Sequence, residues 1–172
     1  MTRILTAVST TFLFALATGC DQAAQQSGTH DADVKAITDD VLRWKSDFNT
    51  KDLDKLLSHY ADDTVVVIPG MPVAKNAETR RAAIKEMISD PALNISVLDC
   101  PRVEVAKSGD YGFAQCTYAM TVTDPGTKKP MNDKGSVVEV YKKQADGSWK
   151  SVSDIAASEV PPPPPAPAKP GE

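Results

Sequence analysis

Residues 44–68, WKSDFNTKDLDKLLSHYADDTVVVI, carry three elements in succession. Trp44 and Phe48 continue a line begun by Val34, Ile37 and Val41, and that spacing puts one apolar stripe on a helix from about Asp33 to Phe48. Leu53, Leu56, Leu57 and Tyr60 make a second, short helix starting near Asp52. Thr64–Ile68 is β-branched throughout and reads as a buried strand, stopped by Pro69-Gly70. Outward from this stretch, Asn76 is placed to cap a third helix running to about Ser89, with Ile84, Met87 and Ile88 facing inward and Pro91 beyond its end. Four β segments follow: Ile95–Ala106, Tyr111–Thr123, Gly135–Lys142 and Ser148–Ala156. Their connections hold Ser108-Gly109-Asp110, Asp124-Pro125-Gly126 and Ala145-Asp146-Gly147, residues that favour turns. The order ααβαββββ, helices before an antiparallel meander, predicts an α+β domain with its helices on one sheet face.

That domain occupies residues 31–158, long enough for a single core. Residues 20–30 are polar and low in complexity, and read as a flexible tether. Residues 159–172 hold the run VPPPPPAPAKPGE, whose prolines lack the donor that helices and sheets need, so an extended or disordered tail is expected. Residues 1–19 begin with a basic residue, Arg3, followed by an apolar run diluted by threonines. This is too short and too polar for a membrane span and reads as an export signal. The chain carries 19 basic and 23 acidic side chains. With no clustered basic surface, nucleic acid is not an expected partner.

Leu16-Ala17-Thr18-Gly19-Cys20 resembles the bacterial lipoprotein box. The resemblance implies that Cys20 becomes the first residue of the mature chain and carries the lipid that holds the domain to a membrane on the periplasmic side of the cell envelope. Asp21 resembles a signal for retention at the inner membrane. The alternative is a plain secretory signal cut near Gly19, with Cys20 a free thiol. In an oxidising compartment Cys100 and Cys116 can form a disulfide. A turn centred on Ser108 sets them opposite each other; one centred on Gly109 sets them on a diagonal, too far apart to bridge. His30 and His59 are the only histidines, so neither a metal nor a cofactor is expected.

The core resembles the nuclear-transport-factor-like superfamily, which includes ketosteroid isomerase and the SnoaL-like cyclases. The residues that carry the resemblance are 44–68, with Lys51-Asp52-Leu53-Asp54 and Tyr60-Ala61-Asp62-Asp63, the Ala83-Ile84 helix, and Asp146-Gly147-Ser148-Trp149-Lys150. It is nearest to small bacterial domains of that superfamily with no assigned activity. It implies a cone-shaped, cystatin-like curved sheet wrapping three N-terminal helices around a pocket. The ketosteroid isomerase catalytic positions fall on Trp44, Ile68 and near Val138, none of which keeps the required chemistry. A dehydratase set of paired histidines is missing as well.

The resemblance turns the strand face of Val152, Asp154 and Ala156 toward the pocket. A carboxyl in an apolar cavity has a raised pKa and can act as a base or anchor a ligand. The alternative, which the sequence favours, is that Asp154 sits at an open rim or pairs with a Lys or Arg. Trp44 and Tyr60 are pocket candidates; the helix stripe favours core for Trp44, whereas packing and pocket are even for Tyr60. Gln115 lies on the odd-numbered face of its strand, with Phe113 and Thr117; the resemblance turns that face inward, whereas hydrophobicity turns in Ala114, Cys116 and Tyr118. The favoured expectation is non-catalytic binding of a small, partly apolar ligand or a partner protein. One rival is an isomerase, cyclase or lyase using Asp154. Another is a scaffold dimerising through its sheet face.

Overall fold

The computed structural model describes residues 19–160. Met1–Thr18, most of the expected export signal, and the proline tail beyond Val160 lie outside the described residues. Helix α1 spans Gly19–Asn49, α2 Leu53–Ser58 and α3 Ala77–Ile88. Strand β1 spans Tyr60–Val67, β2 Asn94–Val105, β3 Tyr111–Thr123, β4 Pro130–Lys143 and β5 Trp149–Ser158. The order is ααβαββββ.

The strands form one sheet in the order β1-β5-β4-β3-β2. The meander pairings are antiparallel, while β1 lies parallel to β5, with Val66 beside Asp154. The caps follow the chemistry of their side chains. Asp52 accepts from the Lys55 amide at the start of α2. Asn76 accepts from the Thr79 amide while the Thr79 hydroxyl receives the Asn76 N–H, a reciprocal capping box.

Two expected element boundaries change. Helix α1 begins at Gly19, not near Asp33, so the stretch read as a flexible tether continues the helix. Ala23, Ala24, Gln25 and Gln26 are strong helix formers, and that propensity outweighs the low complexity of the segment. His30 also reaches the sheet, its Nε2 3.2 Å from the Val105 carbonyl. Strand β1 starts at Tyr60 and not at Thr64, so Tyr60 leaves the expected second helix and Ala61-Asp62-Asp63 lies within the strand. Tyr60 pairs with Ser151 and Val65 with Ser153, and the irregular stretch between those pairs accommodates the two aspartates.

Helix α1 joins two apolar clusters. Phe48 packs with Leu56, Val66, Ile84 and Ile95; Ile37 and Val41 pack with Val105, Ala114, Tyr141 and Trp149. Cys100 and Cys116 are disulfide-bonded, with Cα atoms 4.0 Å apart. Near the turn the register runs Val105 with Gly112 to Arg102 with Gln115, and beyond it Asp99 faces Thr117. A bulge at Cys100-Pro101 therefore absorbs one residue and brings the two cysteines opposite each other.

One close approach shapes the pocket wall. Tyr118 crosses its partner Gly135 so that its hydroxyl reaches Asp133 Oδ2 at 3.2 Å. A Cβ on residue 135 would meet the Ala157 carbonyl and the Tyr118 ring. Gly135→Ala is therefore expected to lose about 1–3 kcal/mol through forced backbone and ring shifts. Urea unfolding measures it, and a loss below about 0.5 kcal/mol, the level of an ordinary surface change, would contradict this packing.

Candidate functional site

A cavity of about 70 Å³ lies between the helices and the concave sheet face. Its wall is apolar, built from residues such as Phe48, Leu56, Ile84, Met87, Leu98 and Met120. Among the described residues, Asp154 is the only charged one in that wall. Trp44 comes from α1, Tyr60 from the first position of β1 and Asp154 from β5, and the parallel β1–β5 pairing brings the last two together.

These three form a relay. The Trp44 indole Nε1 donates to Tyr60 Oη at 3.0 Å, and Tyr60 Oη donates to Asp154 Oδ2 at 2.9 Å. The direction follows from the groups themselves. An indole can only donate, so the single tyrosine hydrogen is directed to the carboxylate. Asp154 Oδ1 makes no hydrogen bond among the described residues. Burial pushes the Asp154 carboxyl up to about 6, with the Tyr60 hydrogen bond acting in the opposite direction. Burial, then the charges of Asp154 and Glu139, holds the Tyr60 phenol well above its ordinary range. The nearby guanidinium of Arg80 stacks over Tyr60 at 5.7 Å and donates to the Thr64 carbonyl at 2.9 Å, but does not line the cavity.

Three of the four expected pocket residues, Trp44, Tyr60 and Asp154, thus line one cavity. Asp154 is neither at an open rim nor paired with a base; it is 6 % exposed. Gln115 is a correction: it is exposed on the opposite face, because the even-numbered side of β3, Ala114, Cys116 and Tyr118, is the buried one. Hydrophobicity identified the inner face and the resemblance did not. Val138 is a second correction. It points outward beside Ile155, and the residue turned inward on β4 is Glu139.

Glu139 lies directly across from Asp154 in the β4–β5 ladder and is 3 % exposed. Burial, then the charge of Asp154, holds its carboxyl well above the usual range. Its Oε2 and the Tyr141 hydroxyl are buried without a hydrogen-bond partner among the described residues. Glu139 stands behind the cavity wall, not in it.

A second polar cluster borders a shallow groove on the other side of α1. His59 Nδ1 is 2.9 Å from Asp40 Oδ1, and its Nε2 is 3.0 Å from Asp47 Oδ2. Burial opposes protonation of this histidine, but the hydrogen bonds and charges of Asp40 and Asp47 outweigh it and raise its pKa. His59 thereby ties the end of α2 to α1. No group of three or more His, Cys, Asp or Glu suited to a metal ion occurs among the described residues.

The reading of residues alone missed Glu139 and the His59 pair. Glu139 shares a strand face with Val137 and Tyr141, but Val138 and Val140 make the other face equally apolar, so the sequence carries no signal for it. Asp40 and Asp47 lie seven positions apart on one side of a helix, which was the signal for His59.

Comparison with known proteins gives a matching family and a set of similar folds. The SnoaL-like domain, as a family model, matches residues 41–152. A ketosteroid isomerase-like protein from Erwinia carotovora atroseptica is 20 % identical, with a TM-score of 0.66 over 74 % of this chain and 97 % of that one. An NTF2-like protein with a cystatin-like fold from Novosphingobium aromaticivorans is 17 % identical, with a TM-score of 0.60 over 83 % and 90 %. The epoxide hydrolase/cyclase-like enzyme SalBIII of salinomycin pyran-ring formation is 15 % identical, with a TM-score of 0.50 over 70 % and 88 %. At these identities the likeness is one of fold. No curated protein sequence matches.

Proposed function

This chain belongs to the SnoaL-like domain family, and on that premise we propose that its cavity binds a small, partly apolar molecule without transforming it. The observation that carries this reading is an apolar wall interrupted by one carboxylate whose partner, Tyr60, is itself held by Trp44. Enolisation of a ketone needs a donor aimed at the developing oxyanion. Here the Trp44 N–H and Tyr60 O–H already have acceptors, and the Tyr118 hydroxyl is held by Asp133.

The second reading, an enzyme of isomerase, cyclase or lyase type, draws on one observation. A carboxyl raised to about 6 is suited to general-base work near neutral pH. SalBIII, of similar fold, is described as an epoxide hydrolase/cyclase-like enzyme.

Lipid attachment at Cys20 on the periplasmic side of a membrane, with Asp21 as a retention signal, belongs to the same proposal and rests on the LATGC sequence. Among the described residues no helix is long and apolar enough to cross a membrane. A homodimer through the outer sheet face is supported by exposed Val138 and Ile155, neighbours in the β4–β5 ladder.

Native mass spectrometry of the natural chain and of Ala156→Leu, which fills the cavity from β5, tests the binding reading. The expected result is a small-molecule adduct on the natural chain that is absent from the variant, with circular dichroism unchanged. An adduct of equal abundance on both proteins would place the ligand elsewhere and defeat the reading.

A further inference from the structure

Resting on the binding reading above, we infer that the cavity selects a small protonated amine, its ammonium meeting Asp154 and its hydrocarbon body filling the apolar wall. Three observations lead there, and the first is a count of hydrogen-bonding capacity. The side chains that line the cavity include three with donors, Trp44, Tyr60 and Tyr118. Each of these donors already has an acceptor in the folded chain: Tyr60 Oη, Asp154 Oδ2 and Asp133 Oδ2 respectively. What remains for a ligand is an acceptor, Asp154 Oδ1. A ketone, ester or carboxylate finds no side-chain donor there, so a ligand must bring its own.

The second observation is charge. Asp154 is buried and lacks an ion-pair partner among the described residues, and the carboxyl opposite it, Glu139, adds none. Arg80 donates to the Thr64 carbonyl and lies over the Tyr60 ring, and it does not line the cavity. An unpaired carboxylate in an apolar wall is costly to bury. A ligand cation relieves that cost in a way an alcohol does not, because it supplies the missing charge together with the hydrogen bond. Trp44, Phe48 and Tyr60 bring aromatic rings to the same wall, and such rings attract ammonium groups.

The third observation is size. A water-sized sphere needs roughly 10–15 Å³ of such space, so the cavity of about 70 Å³ holds on the order of six non-hydrogen atoms. That suits a short branched or cyclic aliphatic amine, and longer ligands would extend past exposed Pro69.

The test uses three branched probes of similar size on the natural chain: isoamylamine, isoamyl alcohol and 3-methylbutanoate, titrated at pH 7.5 and followed by ¹H–¹⁵N chemical shifts. The amine is expected to bind at least tenfold more tightly than the alcohol, and the carboxylate to give no saturable shift at the cavity. In Asp154→Asn the preference should vanish, the amine binding no more tightly than the alcohol. On the natural chain, lowering the pH from 7.5 to 5 should weaken the amine and leave the alcohol unchanged, and this arm needs no variant. Alcohol binding with no preference for the amine would overturn the inference while leaving the pocket reading intact. An amine preference that survives in Asp154→Asn would overturn it too, by placing the cation elsewhere. Cavity resonances unmoved by all three probes would defeat the inference and the pocket reading together.

Discussion

Asp154→Asn is expected to be more stable than the natural chain at pH 8 and no more stable at pH 4. The folded chain holds the Asp154 carboxyl at about 6, above its ordinary 3.8. A group raised in this way contributes its full share below the unfolded value and loses it as pH rises through the folded one. A rise of that size corresponds to about 3 kcal/mol, present as a penalty at pH 7–8 and absent near pH 4. Asparagine keeps an acceptor for the Tyr60 hydroxyl and never ionises. The variant should therefore recover about 1–3 kcal/mol at high pH. Glu139 acts in the same direction, since burial and the charge of Asp154 raise its carboxyl. So does His59, raised above 6.5 by two aspartates: its contribution is full below 6.5 and fades as pH rises through its folded value.

Opposing them are carboxylates whose pKa is lowered. Asp90 is held down by Thr123 against the effect of burial, and Asp124 by the Thr127 amide. Their contributions exist above 3.8 and are lost on acidification below it. The natural domain should thus be most stable near pH 4–5, with melting temperature falling toward pH 8. Thermal melts of both proteins at pH 4, 5, 6, 7 and 8 provide the measurement. A constant gap between them across that range, or a less stable variant at pH 8, would show that Asp154 does not carry the titration.

Opening the Cys100–Cys116 disulfide has the other large expected effect. The bond closes a loop of sequence separation 16. Closing a loop of that length in the unfolded chain is worth about 3 kcal/mol, and for a domain near this size that lowers the melting temperature by roughly 10 °C. The double substitution Cys100→Ala with Cys116→Ala removes a thiol from the core as well, since Cys116 is buried among Ile37, Val105 and Tyr141. Dithiothreitol on the natural chain separates the two contributions, because reduction leaves the sulfur atoms in place. Reduction should account for most of the loss. A reduced protein that melts within about 2 °C of the oxidised one would mean that the bulge at Cys100-Pro101 already restrains the unfolded hairpin, or that the bond is strained.

Much of the fold is legible because local signals agree with the tertiary result. The α1 stripe from Val34 to Phe48, the Asn76 cap and the Pro69-Gly70 stop each depend on neighbours within a turn or two. The misplacements lie where pairing between distant segments decides. Asp62 and Asp63 sit in the irregularity between the Tyr60–Ser151 and Val65–Ser153 pairs, which only the β5 register reveals. The cysteines meet because a bulge changes the register by one, which no count along a hairpin reveals.

The same reason hid Glu139. Residues 137–141, VVEVY, are apolar on both sides of the glutamate, so alternation does not tell inside from outside. Only the cross-strand partner Asp154 identifies the inner face. Asp154, Trp44 and Tyr60 were nameable as candidates, yet their relay required a parallel β1–β5 contact across more than half of the domain. Gln115 lies outside because the apolar side of its own strand, Ala114, Cys116 and Tyr118, is the one that packs inward.

The early start of α1 alters how the domain would stand on a surface. A helix rises 1.5 Å per residue, so the backbone between Cys20 and Asp33 forms a rod of about 20 Å, where a random coil would be a slack leash. Asp33 is fastened to the domain by Lys143 at 2.7 Å and by the Trp149 indole at 3.1 Å. With a lipid on Cys20, such a rod sets both the height of the cavity above the bilayer and the direction in which it faces. Ligand entry would then be governed by the orientation of a lever and not by free tumbling on a string.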